Sequence, residues 1–235
     1  MRCRILYEDE SVLIAYKPAG LATQSAGVGQ ADAVSELKNY LAKASKSAGK
    51  TAAGGAARQP YLGVVHRLDQ PVEGLLAFAK TQGAAAALTK ELQRGTLNKT
   101  YQALVAGRPD APEGDLKDML WKDGSTVRVV TGREGEYPDA KEARLHYCVL
   151  ASDAEKSLLE VRIETGRFHQ IRAQLAHAGM PILGDRKYGS AASEGLAVGL
   201  RGLALCARTL ELIHPVTKKK MHWELKEKTI DWKDS

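Results

Sequence analysis

Two apolar segments, "EARLHYCVLAS" and "KSLLEVRIETG", stand on either side of "DAEK", and this arrangement constrains the fold most. A short polar break between two strand-length runs predicts an antiparallel hairpin. The opening "RILYEDESVLIAYKPAG" reads the same way, as two short strands joined by an acidic turn and closed by Pro18 and Gly20. In "KTYQALVAG", Tyr101, Ala103 and Val105 alternate on one face, and "GLLAFAKT" is a short apolar run bounded by Gly74. Both predict strands, as do the closing "LALCARTLELIHP" and "KKKMHWELKE". Helical periodicity is confined to a few places. "ADAVSELKNYLAKASK" repeats Val34, Leu37 and Leu41, "QGAAAALTKELQRG" stops at Gly95, and "FHQIRAQLAHAG" runs from about Phe168 to a stop at Gly179. The turn-rich stretch from Arg108 to Glu142, with "PDAPEGD", "KDGST" and "REGEYPDA", predicts short hairpins. Strands outnumber helices and are mostly hairpin-linked. The expected class is α+β, with a mixed, mainly antiparallel central sheet flanked by helices and loops.

A chain of 235 residues, 44% of them hydrophobic, suits a single domain over 1–235 with a sizeable core. Ser47 to Pro60, "SAGKTAAGGAARQP", is small and charged without periodicity, so a flexible loop is expected over 47–60. Thirty-four Lys and Arg against 28 Asp and Glu give a net charge of +6, which points weakly to an anionic partner, nucleic acid first. The three cysteines, Cys3, Cys148 and Cys206, are widely spaced and odd in number, without metal or redox spacing. No apolar run approaches the ~18–20 residues needed to cross a bilayer, and the N-terminus carries no cleavage-type signal. A cytoplasmic monomer without membrane contact is the default expectation.

Several chemistries find no support. "GVGQAD" lacks the lysine and the preceding strand of a phosphate-binding loop, and there is no G-x-S-x-G elbow. "HRLD" lacks the downstream asparagine of a kinase loop. The six histidines are scattered; His169 and His177 are too far apart for one-turn metal ligation. Neither a metal nor a cofactor is expected.

Two stretches stand out. In "HRLDQPVEGLLAFAKT", Arg67 and Asp69 precede a buried run two residues apart, either as a surface ion pair or as chemistry. In "ETGRFHQIRAQLAHAGMPILGDRKYG", Ile171 and Leu175 share a helix face with Arg172 beside it. Taken alone, Arg172 reads as a solvated helix charge more readily than as a partly buried cation aimed at a carboxylate, since arginines are mostly exposed. Taken alone, Asp69 reads as a turn or cap residue and Tyr101 as core with a satisfied hydroxyl.

Read together and in order, "HRLDQPVEGLLAFAKT", "KTYQALVAG" and "ETGRFHQIRAQLAHAGMPILGDRKYG" closely resemble the signature segments of the RluA-type pseudouridine synthases, isomerases of ribosomal and transfer RNA uridines. The opening "ILYEDESVLIAYKPAGL" and the ending "RGLALCARTLELIHPVT" resemble that family's start and close. The resemblance implies a pseudouridine-synthase-like fold. It also implies isomerisation of uridine to pseudouridine in structured RNA, without cofactor. Asp69 matches the catalytic carboxylate, as nucleophile or as base. Arg172 matches the cation paired with it, which opposes the neutralising effect of an apolar pocket. Tyr101 matches the active-site tyrosine, whose ring holds the detached uracil. Arg67 matches the residue that takes the place of the flipped base. Leu68, Ile171 and Leu175 are candidates for excluding water from that base. Lys99 and Arg167, with Lys17, Arg186 and Lys187, are candidate phosphate contacts.

Two departures accompany the resemblance. The family commonly has Thr-Ser-Gly or similar after the aspartate, where this chain has Pro71-Val72-Glu73-Gly74; Phe168 stands where threonine is usual. No separate N-terminal RNA-binding domain is expected, because the catalytic opening begins almost at Met1. A different class remains as the alternative: a non-catalytic RNA-binding or ribosome-assembly protein on the same fold. A glycosidase with paired acids ranks last, since no second acid with a motif context accompanies Asp69.

Overall fold

A computed structural model describes residues 1–25, 27, 29–47, 59–131, 136–200, 202–226 and 230. The expected loop at 47–60 falls mostly on residues outside those described. The chain divides into two compact units. One comprises Met1–Asn98 and Thr209–Glu224, the other Lys99–Arg208 and Leu225–Ser235.

In the first unit, β1 (Arg4–Glu8) and β2 (Val12–Lys17) form the expected opening hairpin. Asp9 shapes its turn: Oδ1 accepts from the backbone of Ser11 (2.7 Å) and Val12 (2.8 Å), and Oδ2 faces Nε2 of buried His214 at 2.7 Å. On its other edge β2 pairs antiparallel with β4 (Glu73–Ala79), with Ile14 opposite Ala77 and Leu13 opposite Phe78. The short β3 (Gly63–Val64) also pairs with β4. Leu13, Ile14, Leu75, Leu76 and Phe78 are all fully buried. A near-continuous apolar run of this kind belongs to a strand covered on both faces. Helix α1 (Ala33–Ser47) is tied to the chain start through Glu36, which accepts from the backbone N–H of Arg2 (2.7 Å) and Cys3 (3.1 Å). Helix α2 (Gln82–Arg94) begins at Thr81, whose side chain accepts from Ala84 N–H, and ends at a left-handed Gly95 (φ 70°).

In the second unit, β5 (Asn98–Ala106), β6 (Glu113–Asp123), β7 (Thr126–Val129), β8 (Lys141–Ser152) and β9 (Lys156–Ile163) make an antiparallel sheet in the order β5-β9-β8-β6-β7. The β8–β9 hairpin around "DAEK" is the predicted one. Between Arg108 and Glu142, one expected hairpin is present, β6–β7 with Asp123 opposite Thr126 around "KDGST", but its first strand is longer than expected. The alternation of β6 was masked because two inward positions, Gly114 and Asp118, are not apolar. The Tyr147 ring occupies the space where a Cβ of residue 114 would sit, and Asp118 accepts from Gln174 Nε2 at 2.7 Å. Helix α3 (Gln170–His177) contributes Ala173 to a core formed with Leu120, Val127 and Ala143. A single short helix, α4 (Ala191–Gly195), follows. Strand β10 (Leu205–Ile213) starts in this unit and ends in the first, where it pairs antiparallel with β11 (Lys220–Glu224). Strands with helices packed among them, in antiparallel pairing, give the α+β class expected.

Candidate active site

Asp69 lies in the first unit, between His66 and the start of β4. Residues His66 to Asp69 alternate: His66 and Leu68 are buried, Arg67 is exposed and Asp69 is half-buried. His66 Nε2 accepts from Ala77 N–H (3.2 Å), which attaches the segment to β4. The backbone is then held on both sides of the aspartate. Ahead of it, the buried Thr23 hydroxyl accepts from Leu68 N–H (3.1 Å) and donates to Leu68 C=O (2.8 Å). Behind it, Gln70 C=O accepts from Gly20 N–H (2.9 Å) and from Lys17 Nζ (3.2 Å). A turn closes between them, Val72 N–H donating to Asp69 C=O at 3.0 Å.

These contacts explain the opening "KPAG". Lys17 ends β2 with its side chain fully buried, and its ammonium also donates to Pro18 C=O (3.1 Å) and Leu21 C=O (2.6 Å). Gly20, at φ 78°, turns the loop so that its N–H reaches Gln70. Burial lowers the Lys17 pKa to about 8, against the charges of Cys3, Asp69 and Glu73, which favour the ammonium. Lys17 is therefore not the phosphate contact that sequence suggested. It is an internal cation that fixes Gln70, and the Asp69 charge is among those that favour its ammonium. Glu73, in the unusual "QPVE", accepts from the Tyr16 hydroxyl at 2.5 Å. Burial raises its pKa, while Tyr16 and Lys17 oppose the rise.

The second unit carries the other predicted residues. Tyr101 is buried on β5, opposite Val161. Lys99, half-buried at the start of the same strand, has its pKa lowered to about 8 by burial, so an anion brought to it would raise that value. Helix α3 starts at Gln170, two residues later than expected, because His169 is left-handed (φ 52°). Gln170 organises this start. Its Oε1 accepts from Arg167 N–H (3.0 Å) and from the Thr165 hydroxyl (2.8 Å), and its Nε2 donates to Arg144 C=O (3.0 Å). Ile171, Arg172 and Leu175 are all buried, while Arg167 is exposed and donates to Glu142 C=O at 2.9 Å.

Arg172 is the buried cation of the two readings, at 4% exposure. Its Nε and Nη2 donate to Asp185 Oδ2 and Oδ1, each at 2.7 Å, a two-pronged pairing. Burial of Asp185 disfavours its charge, but Arg172 and the backbone N–H groups of Lys187 and Tyr188 outweigh this and hold its carboxyl below the usual range. Asp185 lies in "ILGDRKYG", and the glycines on either side explain the motif. A Cβ at Gly184 would collide with Gly202 C=O, and one at Gly189 with Asp185 C=O. Tyr188 completes the group. Its ring lies 5.1 Å from the Arg172 guanidinium, and its hydroxyl accepts from Val127 N–H (2.8 Å) and meets His169 Nδ1 (2.8 Å). Sequence reasoning missed Asp185, Tyr188 and Thr23. For Asp185 a signal was present, an acid between two glycines in the same quoted stretch as Arg172.

Comparison with known proteins bears on the same segments. The sequence profile described as RNA pseudouridylate synthase matches residues 11–177, which hold Asp69, Tyr101 and Arg172. The chain belongs to the RNA pseudouridylate synthase family. It is 36% identical over 217 residues to the uncharacterized RNA pseudouridine synthase YhcT of Bacillus subtilis (strain 168), covering 91% of this chain and 65% of that protein. It is 35% identical over 236 residues to the ribosomal large subunit pseudouridine synthase D of Pseudomonas aeruginosa, covering 94% of this chain and 67% of that one. The chain thus spans about two thirds of the length of these curated relatives. Among solved structures, human RNA Pseudouridylate Synthase Domain Containing 4 is similar with a TM-score of 0.71 at 24% identity, over 94% of this chain and 87% of that one. That likeness establishes the pseudouridylate synthase fold. No helix among the described residues is long and apolar enough to cross a membrane.

Proposed function

We propose that this protein isomerises uridine to pseudouridine in structured RNA, with Asp69 as the catalytic carboxylate and no cofactor. The observation that carries the reading is the two-sided hold on Asp69, by Thr23 on Leu68 and by Lys17 and Gly20 on Gln70. Catalysis gains from a reacting group fixed before substrate arrives. Ribosomal RNA is the first substrate to test, because the relative from P. aeruginosa is named for the large ribosomal subunit; transfer RNA is the second.

In this reading the target uridine leaves its stack, at a cost of a few kcal/mol that is least in a loop. Exposed Arg67 enters the vacated place, Leu68 shields the base beside Asp69, and Ile171 and Leu175 of the second unit are the further apolar residues assigned to excluding water. Asp69 meets the sugar at its anomeric region while the nitrogen–carbon bond breaks. The uracil turns, and the carbon–carbon bond forms. Tyr101 holds the ring and Arg172 serves the carboxylate's charge. Lys99 and Arg167 contact phosphate, and the protein works as a monomer in the cytoplasm.

The test is pseudouridine mapping of total RNA from cells with the gene, without it, and with Asp69→Asn. Sites lost on deletion should stay lost with Asp69→Asn, while the purified variant folds and binds RNA as the parent does. Full activity in Asp69→Asn would overturn the assignment. Sites that all persist on deletion would favour the non-catalytic RNA-binding role.

A further inference from the structure

On the exposed face of the second unit's sheet, cross-strand pairing collects groups that are far apart in sequence. Glu113 on β6 is opposite Cys148 on β8, and Asp115 is opposite His146. Period-two alternation puts all four side chains on one face, the other being that of buried Leu145, Tyr147 and Leu159. One ligand atom each from Glu113, His146 and Cys148 lies within 4.8 Å of the others. His146 Nε2 is 3.3 Å from Cys148 Sγ, and Sγ is 3.8 Å from Glu113 Oε2. A tetrahedral ion with bonds of about 2.0–2.3 Å needs its donors about 3.3–3.8 Å apart. The remaining ring nitrogen, His146 Nδ1, faces Asp115 Oδ1 at 2.8 Å. That is the contact by which an outer carboxylate orients a metal-bound imidazole and leaves Nε2 as the ligand.

We propose that Glu113, His146 and Cys148 form a zinc-type metal site, oriented by Asp115 and completed by a water. None of these residues belongs to the proposed RNA chemistry, so the site is a separate property of the sheet. Binding replaces the Cys148 S–H bond with a metal–thiolate bond and releases the proton to solvent. A thiolate and an imidazole select a borderline-soft divalent ion over Mg²⁺ or Ca²⁺, which take oxygen ligands. Glu160, opposite Cys148 on β9, is taken by Arg162, whose Nε and Nη2 donate to it at 3.1 and 2.8 Å. This leaves the fourth position to water. Sequence spacing hides the site, because its ligands come from two strands 33 residues apart in their nearest members, Glu113 and His146.

The test is titration of the metal-stripped full chain with Co²⁺, followed by displacement with Zn²⁺. One equivalent of Co²⁺ should give a thiolate-to-cobalt band in the near ultraviolet and the visible bands of a four-coordinate ion. Both should be bleached by Zn²⁺ and unaffected by excess Mg²⁺. Cys148→Ser should abolish the near-ultraviolet band, while the other cysteines, Cys3 and Cys206, are buried and cannot supply it. His146→Ala should weaken Zn²⁺ binding at least tenfold. Asp115→Asn, which removes no ligand, should weaken it about 10–100-fold. No thiolate band, a band that survives in Cys148→Ser, or unchanged affinity in both His146→Ala and Asp115→Asn would overturn the proposal. RNA binding and isomerisation serve as independent readouts, so failure here is distinct from failure of the RNA reading.

Discussion

Arg172 and Asp185, buried at 4% and 3% exposure, face each other through two parallel hydrogen bonds of 2.7 Å. Removing one partner of such a pair leaves the other charge in a dry environment, at a cost of about 3–5 kcal/mol. Asp185→Asn is therefore expected to lower stability by about that amount in chemical denaturation. Arg172→Lys, which cannot offer the same fork, should also destabilise. The folded-state pKa of Asp185 is depressed. Its contribution is therefore complete above the ordinary carboxylate value of about 4 and lost as pH falls through the lower folded value. The parent should lose stability across that acid limb, and Asp185→Asn should show a shallower one.

Thr23 holds Leu68 through one hydroxyl that both accepts and donates. Thr23→Val keeps the shape but leaves a buried N–H and C=O unmet, which costs about 1–3 kcal/mol. Because Leu68 precedes Asp69, the larger signature is kinetic. On RNA substrate, kcat should fall with little change in KM, and Thr23→Ser should recover most of it. A loss of stability with kcat unchanged would mean that the bond supports the fold alone.

Lys17 tests the electrostatics of the same loop. Its pKa is lowered to about 8 in the fold, against about 10.4 in an unfolded chain. Between these values the unfolded chain binds more protons, so stability rises with pH. Lys99, also lowered to about 8, acts with the same sign. Cys3, pushed up to about 12 by burial, acts with the opposite sign once an unfolded thiol ionises near about 8.5. The clean window is therefore pH 8 to about 8.5. Urea midpoints there should rise with pH in the parent and rise less in Lys17→Met. That variant should also be less stable at pH 7, since its three carbonyl partners lose their donor.

The sequence made the strands legible wherever a period-two pattern ran without interruption, as in β5, β8 and β9. It hid the full length of β6, because Gly114 and Asp118 take inward positions for reasons visible only once Tyr147 and Gln174 are in place. The candidate site divides in the same way. Asp69, Tyr101 and Arg172 sit in motifs that a reader can match. The residues that hold them do not, because a support acts through distance and leaves no spacing. Thr23 is 45 residues from Leu68, and Asp185 is 13 from Arg172. Lys17 was visible as a cation, but burial reversed its role from surface contact to internal brace.

Glu73 lies in the unusual "QPVE", and its carboxylate accepts from the Tyr16 hydroxyl at 2.5 Å. The two residues should therefore behave as a pair. Glu73→Ser is too short to reach Tyr16 and should destabilise by about 0.5–1.5 kcal/mol, as a half-buried hydrogen bond is lost. Tyr16→Phe should cost a similar amount by leaving the carboxylate without that donor. The double variant should cost less than the sum of the singles by about 0.5–3 kcal/mol, the range for groups in direct contact. Glu73→Gln, which keeps an acceptor oxygen, should cost less than Glu73→Ser. It should also lower the Lys17 pKa below about 8, because the Glu73 charge is one of those that favour the ammonium. Resonances of the Lys17 side chain followed against pH would read this shift directly, and additive single-variant costs would show that Tyr16 and Glu73 act independently.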